Sequence, residues 1–400
     1  MKWIAAAMAI LILISYPISS SGENEIQEMI SKVNEEMLYY YDSTIQNMGP
    51  HPTGSQECEK VADFIYEELQ SYGLQVENHY WEKKGYSGRN IVATLPGKDN
   101  KTVILSAHYD SVAVSPGADD DGSGVSCVLM AAKIMSDYSF THTIKFVFFS
   151  GEEQGLYGSD RFVRDMYERN EIILADIQLD GVGHAVSREG GSKMRLSSSG
   201  SSAWIAGVVN EMAESYDEIG LNVKIYRDFA GSDHQSFINY GYEGVFFLEY
   251  EFNPHYHSSQ DVIDYVNFTY MAKMCKLAIA TAATLADMDV KTMVRVVEPE
   301  RGAIYFGDRK ILDTDDYNSV VIGKMMMKVE ILTDDKINLV EFYMDGELRG
   351  VDATEPYEYR FGKVALFRHH ITVLAEGQSS NDMTEMDVYL FNLVPRYWLD

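Results

Sequence analysis

Cysteine is scarce in this chain: Cys58, Cys127 and Cys275 are the only three in 400 residues. Each falls inside a helical pattern, so no disulfide framework is implied and buried thiols are expected. Basic residues are few as well, 33 Lys and Arg against 61 Asp and Glu, which leaves a net charge of −28. Such a surface repels polyanions, excluding nucleic acid and anionic membranes as partners and favouring solubility in an extracellular or salty setting. No cluster of guanidinium groups suited to a substrate carboxylate is present. Long apolar runs are missing too, apart from Trp3 to Ile14 behind Met1-Lys2. That run is short for a membrane span and small residues Ser19 to Ser21 follow it, so residues 1–21 read as a secretory signal peptide, with an uncleaved amino-terminal anchor as the alternative. The expected location is secreted, extracellular or at the cell surface.

What is present is an apolar content of 46%, enough to bury two cores in a chain of this length. Thr102 to Ala107 is β-branched and apolar between turn signals, the pattern of a buried parallel strand, and it delivers His108 at its carboxyl end. Thr143 to Phe149 runs into Ser150-Gly151-Glu152-Glu153, and Ile172 to Leu179 runs into Asp180. The apolar run Gly244 to Tyr250 is followed by a loop carrying His255, Tyr256 and His257. In an open parallel α/β sheet, ligands bind beyond the carboxyl ends of the strands, so these tips are expected to converge. The strand-then-helix alternation gives the fold class: α/β, a mostly parallel mixed sheet flanked by helices.

Between His108 and the next strand stand Asp119, Asp120 and Asp121 in a loop flanked by Pro and Gly. Three adjacent carboxylates repel one another unless a cation neutralises them, although an Asp run before Gly-Ser-Gly also suits a helix N-cap. Two histidines with at least three carboxylates and no thiolate favour zinc. Two zinc ions sharing one carboxylate use five protein ligands and leave room for a bridging water.

The motifs HYDS, PGADDDGSG, SGEEQGLYGS, QLDG, SDH and HSSQD, in this order and spacing from about Gly49 to about Ala286, resemble the co-catalytic di-zinc exopeptidases, which include secreted bacterial aminopeptidases and glutamate carboxypeptidase. The resemblance implies two Zn2+. His108 and Asp180 would be ligands of one, Glu153 and His257 of the other, and Asp120 the bridge. It further implies that Glu152 is the general base acting on the bridging water and that Asp110 is the carboxylate orienting His108. Asp119 and Asp121 would shape the loop. Relatives carry a tyrosine near SDH that helps hold the oxyanion; Phe229 stands near that place here, leaving Tyr226, His234 and Tyr256 as candidates. The implied activity is hydrolysis of amino-terminal residues from peptides, with a carboxypeptidase as the alternative. A single-zinc acyltransferase of the glutaminyl cyclase kind and a catalytically dead binding ectodomain are further rivals.

Three domains are expected: the signal peptide, a peptidase domain over 22–292 and a small all-β sandwich over 293–400. Glu23 to Met48 predicts one long acidic helix, and Asp261 to Met288 the last helix of the peptidase domain. Beyond Val290 short alternating runs take over, with Asp345-Gly346 a hairpin signal. The phrase VEFYMDGELRGVDATEPYEYRF resembles immunoglobulin-like modules appended to secreted hydrolases. His369-His370 are expected to cover a strand edge. His51, His79, His142 and His184 have no carboxylate constellation of their own and are not predicted as ligands. A peptide or protein substrate is the expected partner, and the sequence does not specify an oligomeric state.

Overall fold

A computed structural model describes residues 20–227, 231–290, 292–333 and 335–393. The apolar run read as a signal peptide and Phe229 lie outside the described residues. Eight strands form one mixed sheet: β1 Gln75–Lys83, β2 Tyr86–Leu95, β3 Lys101–His108, β4 Thr143–Phe149, β5 Ile172–Leu179, β6 Lys193–Ser198, β7 Asn222–Arg227 and β8 Gly244–Glu249. Their order is β1-β2-β4-β3-β5-β8-β6-β7. The pairs β3 with β4, β3 with β5, β5 with β8 and β6 with β7 are parallel, and the remaining pairs are antiparallel. Because β3, β4, β5 and β8 run in one direction, their carboxyl ends open on the same rim.

The central strands are apolar on both faces because helices cover both. Val103, Leu105 and Ala107 of β3 join one core while Ile104 joins another, and in β4 Phe146 and Phe148 oppose Val147 and Phe149 in the same way. Period-two alternation thus feeds two helical layers from one strand. Each fully buried phenylalanine contributes about 1.5–3 kcal/mol.

The helices are α1 Ser20–Ser31, α2 Glu35–Gln46, α3 Gln56–Ser71, α4 Gly122–Met135, α5 Tyr157–Glu168, α6 Ala203–Ser215, α7 His234–Asn239 and α8 Phe268–Asp287. The single helix expected over Glu23 to Met48 is two. Asn34 ends the first continuity by turning its side chain back to accept from Glu36 N at 2.8 Å and Met37 N at 3.2 Å, which makes it the N-cap of α2. The last helix likewise begins later than expected. Asp261 sits in a loop, and Asn267 caps α8 by accepting from Tyr270 N at 3.0 Å. The three cysteines are buried thiols on α3, α4 and α8, as their helical settings imply. Among the described residues no helix is long and apolar enough to cross a membrane.

Two close approaches fix the loops at the sheet rim. At Gly124 a Cβ would stand 2.5 Å from the Leu179 carbonyl oxygen, so only glycine lets the start of α4 press against the end of β5. At Gly158, near the start of α5, a Cβ would collide with the Ser150 carbonyl oxygen in the turn that carries Glu152 and Glu153. Gly158→Ala is expected to cost about 1–3 kcal/mol through forced backbone movement. Thermal denaturation checks this, and an unchanged Tm would mean that the turn gives way freely.

From Thr292 the chain is all β: β9 Thr292–Glu298, β10 Ala303–Phe306, β11 Arg309–Asp313, β12 Ser319–Ile322, β13 Met325–Thr333, β14 Ile337–Met344, β15 Glu347–Asp352, β16 Glu358–Phe361, β17 Ala365–Gly377 and β18 Asn381–Asn392. Seven of them form a sheet in the order β11-β10-β12-β18-β17-β14-β15, and β16-β13-β9 form a second, with a core of their own between them. Asp345 at φ 54° and Gly346 at φ 75° make the tight turn from β14 to β15. His369 and His370 do not precede a strand but lie inside β17, where they pair with β18 on one side and border the Asp345 turn on the other, because the ladder to β14 begins only at Ile371. His369 faces Asp345 at 2.7 Å and His370 faces Asp387 at 3.2 Å. Buried Arg301 ties this region to the rest, donating to the carbonyls of Asn239 (2.7 Å) and Glu385.

Candidate metal centre

Three strand ends and one loop meet at the rim. His108 closes β3, Glu152 and Glu153 follow β4, Asp180 follows β5, and His257 comes from the loop after β8. His108 Nε2 stands 3.3 Å from Asp120 Oδ1 and 3.6 Å from Asp180 Oδ1. His257 Nε2 stands 3.2 Å from Asp120 Oδ2 and 3.1 Å from Glu153 Oε2. Two groups able to hold a metal therefore exist, His108 with Asp120 and Asp180, and Asp120 with Glu153 and His257. Asp120 serves both, one oxygen to each.

The donor set fits zinc. With bonds of about 2.0–2.1 Å, the edge of a zinc tetrahedron is about 3.3 Å, close to the separations between these nitrogen and oxygen atoms. Glu153 Oε1 is buried without a hydrogen-bond partner, a lone pair that a cation would satisfy. The protonation pattern agrees. Burial opposes the charge on Asp120, yet hydrogen bonds from His108 and His257 outweigh it and hold this carboxyl at about 2. Burial, then the Asp120 charge, lifts Glu153 to about 7. Burial disfavours charge on His108, but Asp180 and Asp120 raise it well above the ordinary imidazole range. Groups that share protons this tightly are those whose protons a divalent cation displaces.

Glu152 belongs to neither metal-holding group. Burial pushes its carboxyl well above the usual range, His108 draws it down, and Asp233 and Asp180 push it up again. It is a carboxylate beside the cluster that is free to carry a proton.

The surrounding shell corrects one expectation and adds residues the sequence did not single out. Asp110 orients His108 through its backbone: His108 Nδ1 lies 3.0 Å from the Asp110 carbonyl and 3.8 Å from its carboxylate. That carboxylate instead accepts from Thr53 Oγ1 at 2.8 Å and from the amides of Glu152 at 3.3 Å and Glu153 at 3.4 Å. Asp110 thus holds the paired glutamates, with Thr53 locking it from the loop before α3. Asp119 accepts from Gly183 N and Asn253 Nδ2, both at 2.8 Å, and Asp121 from His108 N at 3.1 Å and Gly124 N at 3.0 Å. Both shape the loop, and Asp121 is the N-cap of α4, so the capping and metal readings of this acidic run hold side by side. The Asp120–Asp121 peptide is cis.

Asp261 is the residue missed. Its carboxylate accepts from Asp119 N at 3.0 Å, Asp120 N at 3.2 Å and Ser115 Oγ at 3.3 Å, gripping the loop that presents Asp120. The signal lies in the HSSQD motif, which ends on this aspartate four residues after His257. Asp261→Ala is expected to lower metal affinity about 10- to 100-fold, as removal of such supporting partners does. A competition titration with a zinc chelator reads this, and parent-like affinity would mean that the loop holds itself.

His257 adopts φ 56°, a left-handed conformation costly for this residue, and its ring stacks on Tyr256 with centroids 3.7 Å apart. Of the oxyanion candidates, Tyr256 is therefore beside the cluster. Tyr226 lies exposed on the edge strand β7, and His234 is buried against Phe246. His51 is buried, with Nδ1 2.7 Å from the Gly49 carbonyl, and belongs to neither metal-holding group. His79 and His142 each do pair with one carboxylate, Asp165 at 3.1 Å and Asp99 at 2.9 Å, as structural contacts away from the rim.

The chain is similar in sequence and fold to known proteins. The sequence profile of peptidase family M28 matches residues 90–282. Leucine aminopeptidase 1 of Paracoccidioides brasiliensis (strain Pb03) is 27% identical over 310 residues, spanning 68% of this chain and 76% of that protein. The LapA aminopeptidase of Legionella pneumophila superimposes with a TM-score of 0.62 at 24% identity, covering 68% of this chain and 77% of its own. BSAP, a zinc aminopeptidase from Bacillus subtilis, gives a TM-score of 0.58 at 18% identity, covering 64% and 96%.

Proposed function

We infer that this chain is a member of peptidase family M28 and a zinc-dependent aminopeptidase that hydrolyses the amino-terminal bond of a peptide. The observation that carries the reading is Asp120 offering one oxygen to each of two metal-holding groups while Glu152 stays outside both. In this reading His108, Asp120 and Asp180 hold one zinc and Asp120, Glu153 and His257 the other. The chemistry that bound zinc supplies is a lowered pKa for water and a positive charge opposite the carbonyl oxygen.

The remaining work falls to the chain. Glu152 takes a proton from the attacking water on its carboxylate and returns it to the leaving amine nitrogen. Its burial supports a proton affinity above that of a solvated glutamate, which a base returning its proton needs. Asp110 and Thr53 keep Glu152 and Glu153 in place through the backbone, and Asp261 keeps Asp120 in place.

Export through the segment 1–21 is supported by its short apolar run, and protein sequencing of the secreted form tests it. A peptidase domain over 22–292 and an immunoglobulin-like module over 293–400 are supported by the separate core of the all-β region. The test of the activity is a panel of free-amino and blocked-amino aminoacyl substrates with zinc quantitation. Cleavage of the unblocked set alone, at two zinc ions per chain, is expected. Cleavage only of blocked peptides with free carboxyl ends would make it a carboxypeptidase.

A further inference from the structure

A cavity of about 1080 Å³ lies between α6 and the carboxyl-terminal strands, far enough from the rim that it shares no residue with the metal centre. Its size suits a small organic molecule, and apolar atoms dominate its lining. Its acidic residues are Glu171, Glu211, Glu214, Glu243, Glu376 and Asp382, while Arg295 is the one cation among the described lining residues. Neither Glu171 nor Arg295 changes that balance. Lys145 pairs with Glu171 at 3.3 Å, and the Arg295 guanidinium donates to the Tyr167 carbonyl at 3.2 Å and lies over the Tyr167 ring.

Glu243 and Asp382 are the acids held by the fold. Trp204 Nε1 donates to Glu243 Oε2 at 2.5 Å, whereas Glu243 Oε1 is buried with no hydrogen-bond partner. Val294 N donates to Asp382 Oδ2 at 2.5 Å. Burial, and then the Asp382 charge, push Glu243 well above the carboxylate range, and burial lifts Asp382 to about 7. A buried carboxyl oxygen with no donor, in an apolar lining and beside a second acid that opposes its charge, is a place where a cation is favoured over water. An ammonium satisfies the charge, and the remaining lining calls for hydrocarbon.

We propose that this cavity binds an apolar primary amine, its ammonium held by Glu243 and Asp382 and its hydrocarbon body packed beside the Trp204 indole. Because the ligand would touch both the helix α6 and the strand β18, its binding would also hold the two regions of the chain together.

The test is a fluorescence titration of the full-length, zinc-loaded protein with 2-phenylethylamine, with 2-phenylethanol as the neutral probe of matching shape. Trp204→Phe serves as the blank that confines the signal to the cavity rather than to amine binding at the metal centre. A saturable, Trp204-dependent change is expected for the amine and not for the alcohol. Glu243→Gln keeps an acceptor for Trp204 but removes the charge, and it is expected to weaken the amine about tenfold or more while leaving the free protein at least as heat-stable. Asp382→Asn is expected to weaken it similarly, and it provides the measurement should Glu243→Gln not fold. No saturable Trp204-dependent signal, an equal response to the alcohol, or parent-like affinity in the folded variants would overturn the proposal. None of these readings depends on peptide hydrolysis, so they stand apart from the aminopeptidase assignment.

Discussion

Glu152→Gln is expected to keep two zinc ions per chain and to lose turnover by about 10²–10⁴-fold, the contribution of a positioned general base. The reason is geometric. Glu152 is in neither metal-holding group, so an amide in its place removes no ligand. Its backbone amide still donates to Asp110, so the turn is also preserved. Steady-state kinetics with metal analysis on the same preparation reads both quantities. A variant that lost zinc along with activity would place Glu152 among the ligands and defeat the division of roles drawn above.

Asp120→Ala is expected to lose metal and activity together. Asp120 is the one side chain common to both groups, with His108 at 3.3 Å from one oxygen and His257 at 3.2 Å from the other. Its removal opens both sites at once, and like charges at Asp180 and Glu153 lose the cations that balance them. Elemental analysis after zinc loading should find well under two ions per chain. Full occupancy with full activity would mean that Asp120 bridges nothing. Comparing the two variants is informative because each predicts what the other denies: metal without turnover in one, neither in the other.

Much of the rim was readable in advance. His108, Glu152, Glu153 and Asp180 each follow an apolar β-branched run, and the ends of parallel strands in such a sheet meet on one side. The hairpin at Asp345-Gly346 was equally plain, since a turn of that type needs two positive φ values and those residues accept them. Other features were hidden. The break at Asn34 hides because its neighbours continue the helical period on either side, and only the capping hydrogen bonds reveal the interruption. The place of His369 and His370 inside β17 is hidden because the alternation of the apolar residues becomes clear only from Ile371, where the ladder to β14 begins.

By itself the sequence determined the chemistry available, imidazole and carboxylate without thiolate, and the strands that would bring those groups to one rim. Only the tertiary structure decided their division of labour. Asp119, Asp120 and Asp121 are equivalent in the chain, yet one spans two metal-holding groups while its neighbours accept backbone and side-chain donors. That choice is made by Asp261, more than 130 residues further on, and by the pressing of α4 against β5. Residue spacing encodes the period of a helix or strand, whereas the direction of a side chain in a loop is set by contacts that exist only once distant segments have packed.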